Sequence, residues 1–67
     1  MDSNEILYLK NEIKKIERRI NVIKDYLESH PDDFAVQLSL SNLESRVSEL
    51  KLELSLNQNN FSEMFVN

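Results

Sequence analysis

The residues with the clearest capacity for chemistry surround the single histidine. In the sequence, His30 lies within three positions of three carboxylates, those of Glu28, Asp32 and Asp33. A histidine beside carboxylates suits acid–base catalysis, and clustered carboxylates suit a divalent cation. The chain has no cysteine for a zinc site and no glycine for a calcium or phosphate loop. We therefore expect no enzyme activity, metal or cofactor, and we interpret His30 as a turn residue.

A second group that could do chemistry is basic and lies in the first half of the chain. One interpretation is a phosphate-binding face, because lysine and arginine supply most of the sequence-independent affinity for nucleic acids. The contacts in that interpretation are Lys10, Lys14, Arg18 and Lys24. The alternative is a solvated face of an amphipathic helix. The net charge of −4 favours the solvated face, so nucleic acid is not the expected partner.

Two runs of apolar residues at alternating steps of three and four indicate the elements that carry these groups. This spacing is the heptad seam of helices that pack along their length. The first seam is Ile6, Leu9, Ile13, Ile16, Ile20, Ile23 and Leu27. The second is Val36, Leu40, Leu43, Val47, Leu50 and Leu54. With no glycine, one proline and 30% charged residues, the composition also favours long helices.

The two seams are mirror images about the middle of the chain. Pairs such as Leu27 with Val36 and Ile16 with Val47 share one midpoint, between Pro31 and Asp32. Proline is disfavoured inside a helix and favoured at its first turn, where acidic residues complement the dipole. The sequence therefore predicts an all-α fold, an antiparallel two-helix hairpin of the coiled-coil type over residues 1–57. We expect helix one over about 3–29, the turn at 29–33 and helix two over about 31–57.

Helix two carries a second line of residues at heptad spacing, and none of them is charged. Small serines on a helix surface, where glutamate or lysine would form helix better, suggest that another helix approaches. The predicted intermolecular contacts are Phe34, Leu38, Ser41, Ser45, Ser48 and Leu52. The alternative is that these serines face water. A lone hairpin also buries little surface, so we expect it to associate with itself, as a dimer or higher oligomer forming a four-helix bundle, or with another protein.

Residues 58–67 combine a polar Asn/Gln stretch with a short apolar tail. Phe61, Met64 and Phe65 have helical spacing, so the tail either packs back on the hairpin or begins a following domain. We expect the chain to be the N-terminal part of a larger protein. No run is long and apolar enough for a membrane span, and we expect a cytoplasmic location.

In length and topology the chain resembles the plasmid copy-control RNA-binding proteins of the Rop type, which are hairpins that dimerise into a four-helix bundle. The resemblance is one of architecture, and no motif is shared residue by residue. What it implies is the alternative function, a small RNA-binding dimer that uses the basic face of helix one. It implies no particular site residue.

Overall fold

A computed structural model describes the backbone of residues 3–66 and the side chains of residues 3–57. Within that range the chain is entirely helical and contains no strand. Helix α1 spans Ser3–Ser29 and helix α2 spans Phe34–Val66. The two helices pack against each other as a hairpin, which confirms the predicted all-α hairpin fold. Neither helix has a stretch long and apolar enough, within the described residues, to cross a membrane.

The core lies along the two predicted seams. Its buried residues are Leu9, Ile13, Ile20, Val47 and Leu50, and the partly buried residues packed against them are Ile16, Leu40, Leu43 and Leu54. Every one of these belongs to a seam that the spacing identified. The other seam residues, near the turn and at the start of α1, are half-buried. Because alternating three- and four-residue steps keep side chains on one helical face, each helix presents a single apolar stripe to the other.

The second helix begins at Phe34, later than the Pro31 start expected from the sequence. The reason is the cap. Asp33 is the residue before the first helical position, where its side-chain Oδ1 accepts a hydrogen bond from the Val36 backbone N–H at 3.2 Å. Its carbonyl accepts the Gln37 N–H at 3.0 Å, which is the first bond of the helical ladder. Pro31 consequently lies in the turn rather than at the first helical position.

Helix α2 continues past Asn57, where the sequence suggested that helix two ends. Its backbone is helical through the Asn/Gln stretch to Val66. The suggested packing of Phe61, Met64 and Phe65 on the hairpin concerns side chains outside the described residues.

Candidate protein interface

The predicted intermolecular residues all lie on one exposed face of α2. At about 100° per residue, this face is opposite the seam that packs on α1. Leu56, which the sequence analysis did not include, lies on the same face one turn beyond Leu52. We call this set the outer face of α2, and it consists of Phe34, Leu38, Ser41, Ser45, Ser48, Leu52 and Leu56. All seven are exposed.

The large side chains of the outer face of α2 are among the most exposed apolar groups of the protein. Phe34 is 74% exposed, Leu38 64%, Leu52 60% and Leu56 59%. Leu50, two positions before Leu52, is only 3% exposed. Single exposed leucines are normal on protein surfaces, but aligned ones on one helix form a patch. The outer face of α2 is therefore apolar at both ends, with serines in the middle.

Charged residues of α2 lie beside this face and not on it. Glu44 and Lys51 follow one edge, and Glu49 follows the other. Two of these side chains are engaged within the hairpin: Lys51 Nζ is 2.9 Å from Glu17 Oε2, and Glu44 Oε2 is 3.8 Å from Lys24 Nζ. Glu49 pairs with Arg46 at 3.8 Å within α2. The outer face of α2 is thus an uncharged strip with charged borders.

The corresponding surface of α1 has a different composition. We call it the outer face of α1, and it consists of Leu7, Asn11, Lys14, Arg18, Val22 and Asp25. All six are exposed. Its apolar members, Leu7 and Val22, are separated by polar and charged residues. This pattern matches the solvated face of an amphipathic helix.

The structure brings only some of the predicted RNA contacts together. Lys14 and Arg18 are neighbours on the outer face of α1, whereas Lys10 and Lys24 lie around the helix towards the edge of the seam. All four are exposed. Lys24 is paired with Glu44 across the hairpin, and Lys10, Lys14 and Arg18 form no ion pair within the described residues.

One of the two broad sides of the hairpin carries charge along the groove between the helices. One groove is bordered by Glu17, Lys24, Glu44 and Lys51, which form two ion pairs across it. Its floor is formed by Ile20 and Val47. A second hairpin stacked on this side would have to remove water from those four charges, which is costly without new partners. The groove is consequently a poorer contact surface than the outer face of α2.

The turn contains a hydrogen-bond network that the sequence analysis did not identify. Tyr26 Oη donates to Asp33 Oδ2 at 2.7 Å, so both carboxylate oxygens of the cap residue are used. The Tyr26 ring stacks on the His30 ring, with centroids 4.2 Å apart. Gln37 Nε2 donates to the Pro31 carbonyl. These contacts tie the end of α1 to the start of α2.

His30 closes the C-terminal end of α1. Its backbone N–H donates to the Tyr26 carbonyl at 3.0 Å, and its Nδ1 lies 3.1 Å from the same oxygen. A carbonyl accepts only, so this contact is a hydrogen bond when Nδ1 carries a proton. The ring is exposed and stacked on Tyr26. Such geometry gives His30 a capping role in the turn.

The Tyr26–Asp33 hydrogen bond changes the pKa of both groups. It is the main reason why the pKa of the Asp33 carboxyl lies below its ordinary value, and the Val36 N–H contributes further. It is also the main reason why the pKa of the Tyr26 hydroxyl is raised. In both cases the bond favours the state that the folded turn contains, an ionised Asp33 and a protonated Tyr26.

The acidic residues near the turn are the remaining candidates for a metal site. Among the residues that the structure describes, no group of three His, Cys, Asp or Glu side chains is placed to hold a metal ion. Glu28, Asp32 and Asp33 do not converge on one point, since Asp33 is committed to capping α2.

Comparison of the chain with protein-family models, curated proteins and solved structures gives no match.

Proposed function

We propose that the chain is a non-catalytic association module in which two hairpins bind each other through the outer face of α2. The observation that carries this proposal is the exposure of aligned apolar side chains on a strip without charge, with Phe34 at 74% and Leu38 at 64%. Burying such side chains is favourable by about 1.5–3 kcal/mol each when they become fully enclosed. Exposure of this face to water is therefore unfavourable, and contact with a second apolar surface is favourable.

The position of the outer face of α2 defines the form of the four-helix assembly in this proposal. Because that face is opposite the seam, the two α2 helices meet in the middle and the α1 helices lie outside. A square bundle built through the groove side would instead stack the surfaces that carry the Glu17–Lys51 and Lys24–Glu44 pairs. The central pairing leaves these ion pairs in water.

The test is sedimentation equilibrium of the wild type and of the double variant Ser45→Glu, Ser48→Glu. We expect a dimer or higher oligomer for the wild type and at least about 100-fold weaker association for the variant, because burying an unpaired charge costs several kcal/mol and ~1.4 kcal/mol is a factor of ten. Both replaced serines are exposed, so each hairpin should keep its helicity.

The matched control is Ser39→Glu, Asn42→Glu. It adds the same charge to exposed positions of the same helix that border the groove beside Arg19 and Ile23, off the outer face of α2. We expect its mass to equal that of the wild type. Equal masses for all three proteins would contradict the assignment of the surface. A folded wild-type monomer would contradict self-association and would favour docking on another protein.

A second candidate function is RNA binding through the outer face of α1. It is favoured by one observation, that Lys14 and Arg18 are exposed and form no ion pair within the described residues. Binding of short structured RNA at about 50 mM salt, lost in Lys14→Glu, Arg18→Glu, would support it. Absence of binding at that salt concentration would dismiss it.

A further inference from the structure

We infer that the two α2 helices in this dimer run antiparallel, with the twofold axis at Ser45. The inference rests on the proposed function, since it specifies how a second copy of the chain occupies the outer face of α2. A twofold interface requires a self-complementary patch, in which residue i contacts residue j of the second copy and j contacts i. The four large apolar residues of this face have that property.

The apolar residues of the outer face of α2 are placed symmetrically about Ser45. Leu38 and Leu52 are equally far from it along the helix, and so are Phe34 and Leu56. An antiparallel pair centred on Ser45 therefore places Leu38 against Leu52 of the second copy and Phe34 against Leu56. All four side chains are at least 59% exposed in the single hairpin. Each of them acquires an apolar neighbour, over a contact about 33 Å long.

The centre of the same face is formed by small side chains. Ser45 lies at the axis, with Ser41 and Ser48 on either side, and all three are exposed. Helices normally pack 8–10 Å apart, depending on the side chains at the contact, so small residues at the crossing point allow the shorter end of that range. Close approach at the centre also brings the leucines at both ends into contact.

Charge at the turn favours the antiparallel arrangement over the parallel one. A parallel pair would place the two turns side by side, so that Asp32 and Asp33 of both copies would repel one another. An antiparallel pair places each turn beside Asn57 of the second copy, which is neutral. The two acidic turns are then separated by roughly 35 Å, several times the screening length of about 8 Å at physiological salt.

Disulfide trapping tests the orientation directly, because the chain has no cysteine of its own. The variants are Leu38→Cys, Leu52→Cys and Ser45→Cys, each oxidised alone, and an equal mixture of the first two. A disulfide requires Cα atoms within about 7 Å. We expect Ser45→Cys to form a covalent dimer alone, and the mixture to crosslink about tenfold faster than Leu38→Cys or Leu52→Cys alone. Ser39→Cys, off this face, is the matched control.

The products identify the orientation, because trypsin cleaves after Arg46 and Lys51 and so separates positions 38 and 52 into different peptides. A Leu38→Cys peptide joined to a Leu52→Cys peptide supports the antiparallel dimer. Rapid self-crosslinking of each leucine variant would overturn the orientation and leave the proposed function intact. A wild-type dimer in which neither Ser45→Cys nor the mixture crosslinks would also overturn it. A wild-type monomer by sedimentation would overturn the proposed function itself.

Discussion

Leu50 and Leu52 are two positions apart in the same helix, yet one is 3% exposed and the other 60%. The difference arises from helical phase alone, since a step of two residues rotates the side chain by about 200°. Helix α2 therefore has two apolar faces, the seam and the outer face, and the hairpin covers only the first. Leu50 and Leu52 lie at nearly the same distance from the turn, so their difference in burial arises from position around the helix.

Helix α1 provides the contrast. Its seam supplies the buried residues Leu9, Ile13 and Ile20, but its outer face carries Lys14 and Arg18. Exposed apolar residues of α1, such as Tyr8 and Val22, lie among charged ones, whereas those of α2 share a strip without charge. A helix with one apolar stripe packs on one neighbour, and a helix with two stripes can pack on two. This asymmetry is why we propose that α2 is the central helix of the assembly.

The largest expected effect comes from disrupting the seam of α2. Leu50→Ala should lower the free energy of unfolding by about 2–5 kcal/mol, because it leaves a cavity in the seam. Leu52→Ala is its control, and should change stability only through association. Urea unfolding followed by circular dichroism at several protein concentrations separates the two cases. We expect Leu50→Ala to lower the free energy of unfolding at every protein concentration. For Leu52→Ala we expect a urea midpoint that depends less on protein concentration than that of the wild type. Equal losses of stability in both variants at the lowest protein concentration would contradict the assignment of Leu50 to the seam and Leu52 to the outer face.

The next largest effect concerns the two outer faces. Lys14→Glu, Arg18→Glu introduces two acidic side chains on the outer face of α1, as Ser45→Glu, Ser48→Glu does on the outer face of α2. We expect the α1 variant to associate with an affinity within about threefold of the wild type, since exposed charges far from an interface change affinity little. Sedimentation equilibrium at about 150 mM salt measures this. A large loss of association in the α1 variant would show that both helices lie in the interface.

The sequence was sufficient to predict the hairpin because the seams are long and regular. Every core residue of the structure, from Leu9 to Leu54, follows from steps of three and four residues. The spacing of the seam residues does not predict the contact between Glu17 and Lys51. Straight-across pairing would place Glu17 near Glu44, and the structure pairs Glu17 with Lys51 one turn along and Glu44 with Lys24. The apolar pattern therefore predicts which seam residues meet, but not which flanking charges pair across the hairpin.

The turn was the least predictable part of the fold. Pro31, Asp32 and Asp33 all suit the first turn of a helix, and the sequence does not say which of them is the cap. Asp33 takes that role, and its second carboxylate oxygen also accepts a hydrogen bond from Tyr26. Tyr26 precedes Asp33 by almost two helical turns, and their contact exists only once the chain has reversed. No helical periodicity encodes such a contact.

A smaller effect is expected from this turn and depends on pH. The pKa of Asp33 is lowered in the folded state, so its contribution to stability is present above the ordinary carboxyl pKa of about 4 and is lost as pH falls through the lower folded value. The pKa of Tyr26 is raised, so its contribution is present below about pH 10 and is lost as pH rises through the higher folded value.

Tyr26→Phe tests this pH dependence. Removing the hydroxyl should lower the thermal midpoint at neutral pH and move the pKa of Asp33, measured by carbon NMR of the carboxyl, back towards its ordinary value. Tyr8→Phe is the matched control, because Tyr8 is 61% exposed and makes no hydrogen bond through its hydroxyl within the described residues. An unchanged Asp33 pKa in Tyr26→Phe would mean that the Val36 N–H alone stabilises the carboxylate.

The smallest expected effect is that of the ion pair between the helices. Lys51 Nζ and Glu17 Oε2 are 2.9 Å apart, but the side chains are 56% and 44% exposed. Exposed pairs contribute about 0–1 kcal/mol and are screened by salt. A double-mutant cycle with Glu17→Gln and Lys51→Gln should therefore give a coupling energy below about 1 kcal/mol that disappears at 1 M salt. The Arg46–Glu49 pair, which lies within α2, is the control, because its coupling does not require the hairpin. If the Glu17–Lys51 coupling were larger and resistant to salt, charge at the groove would hold the two helices together as strongly as the seam does.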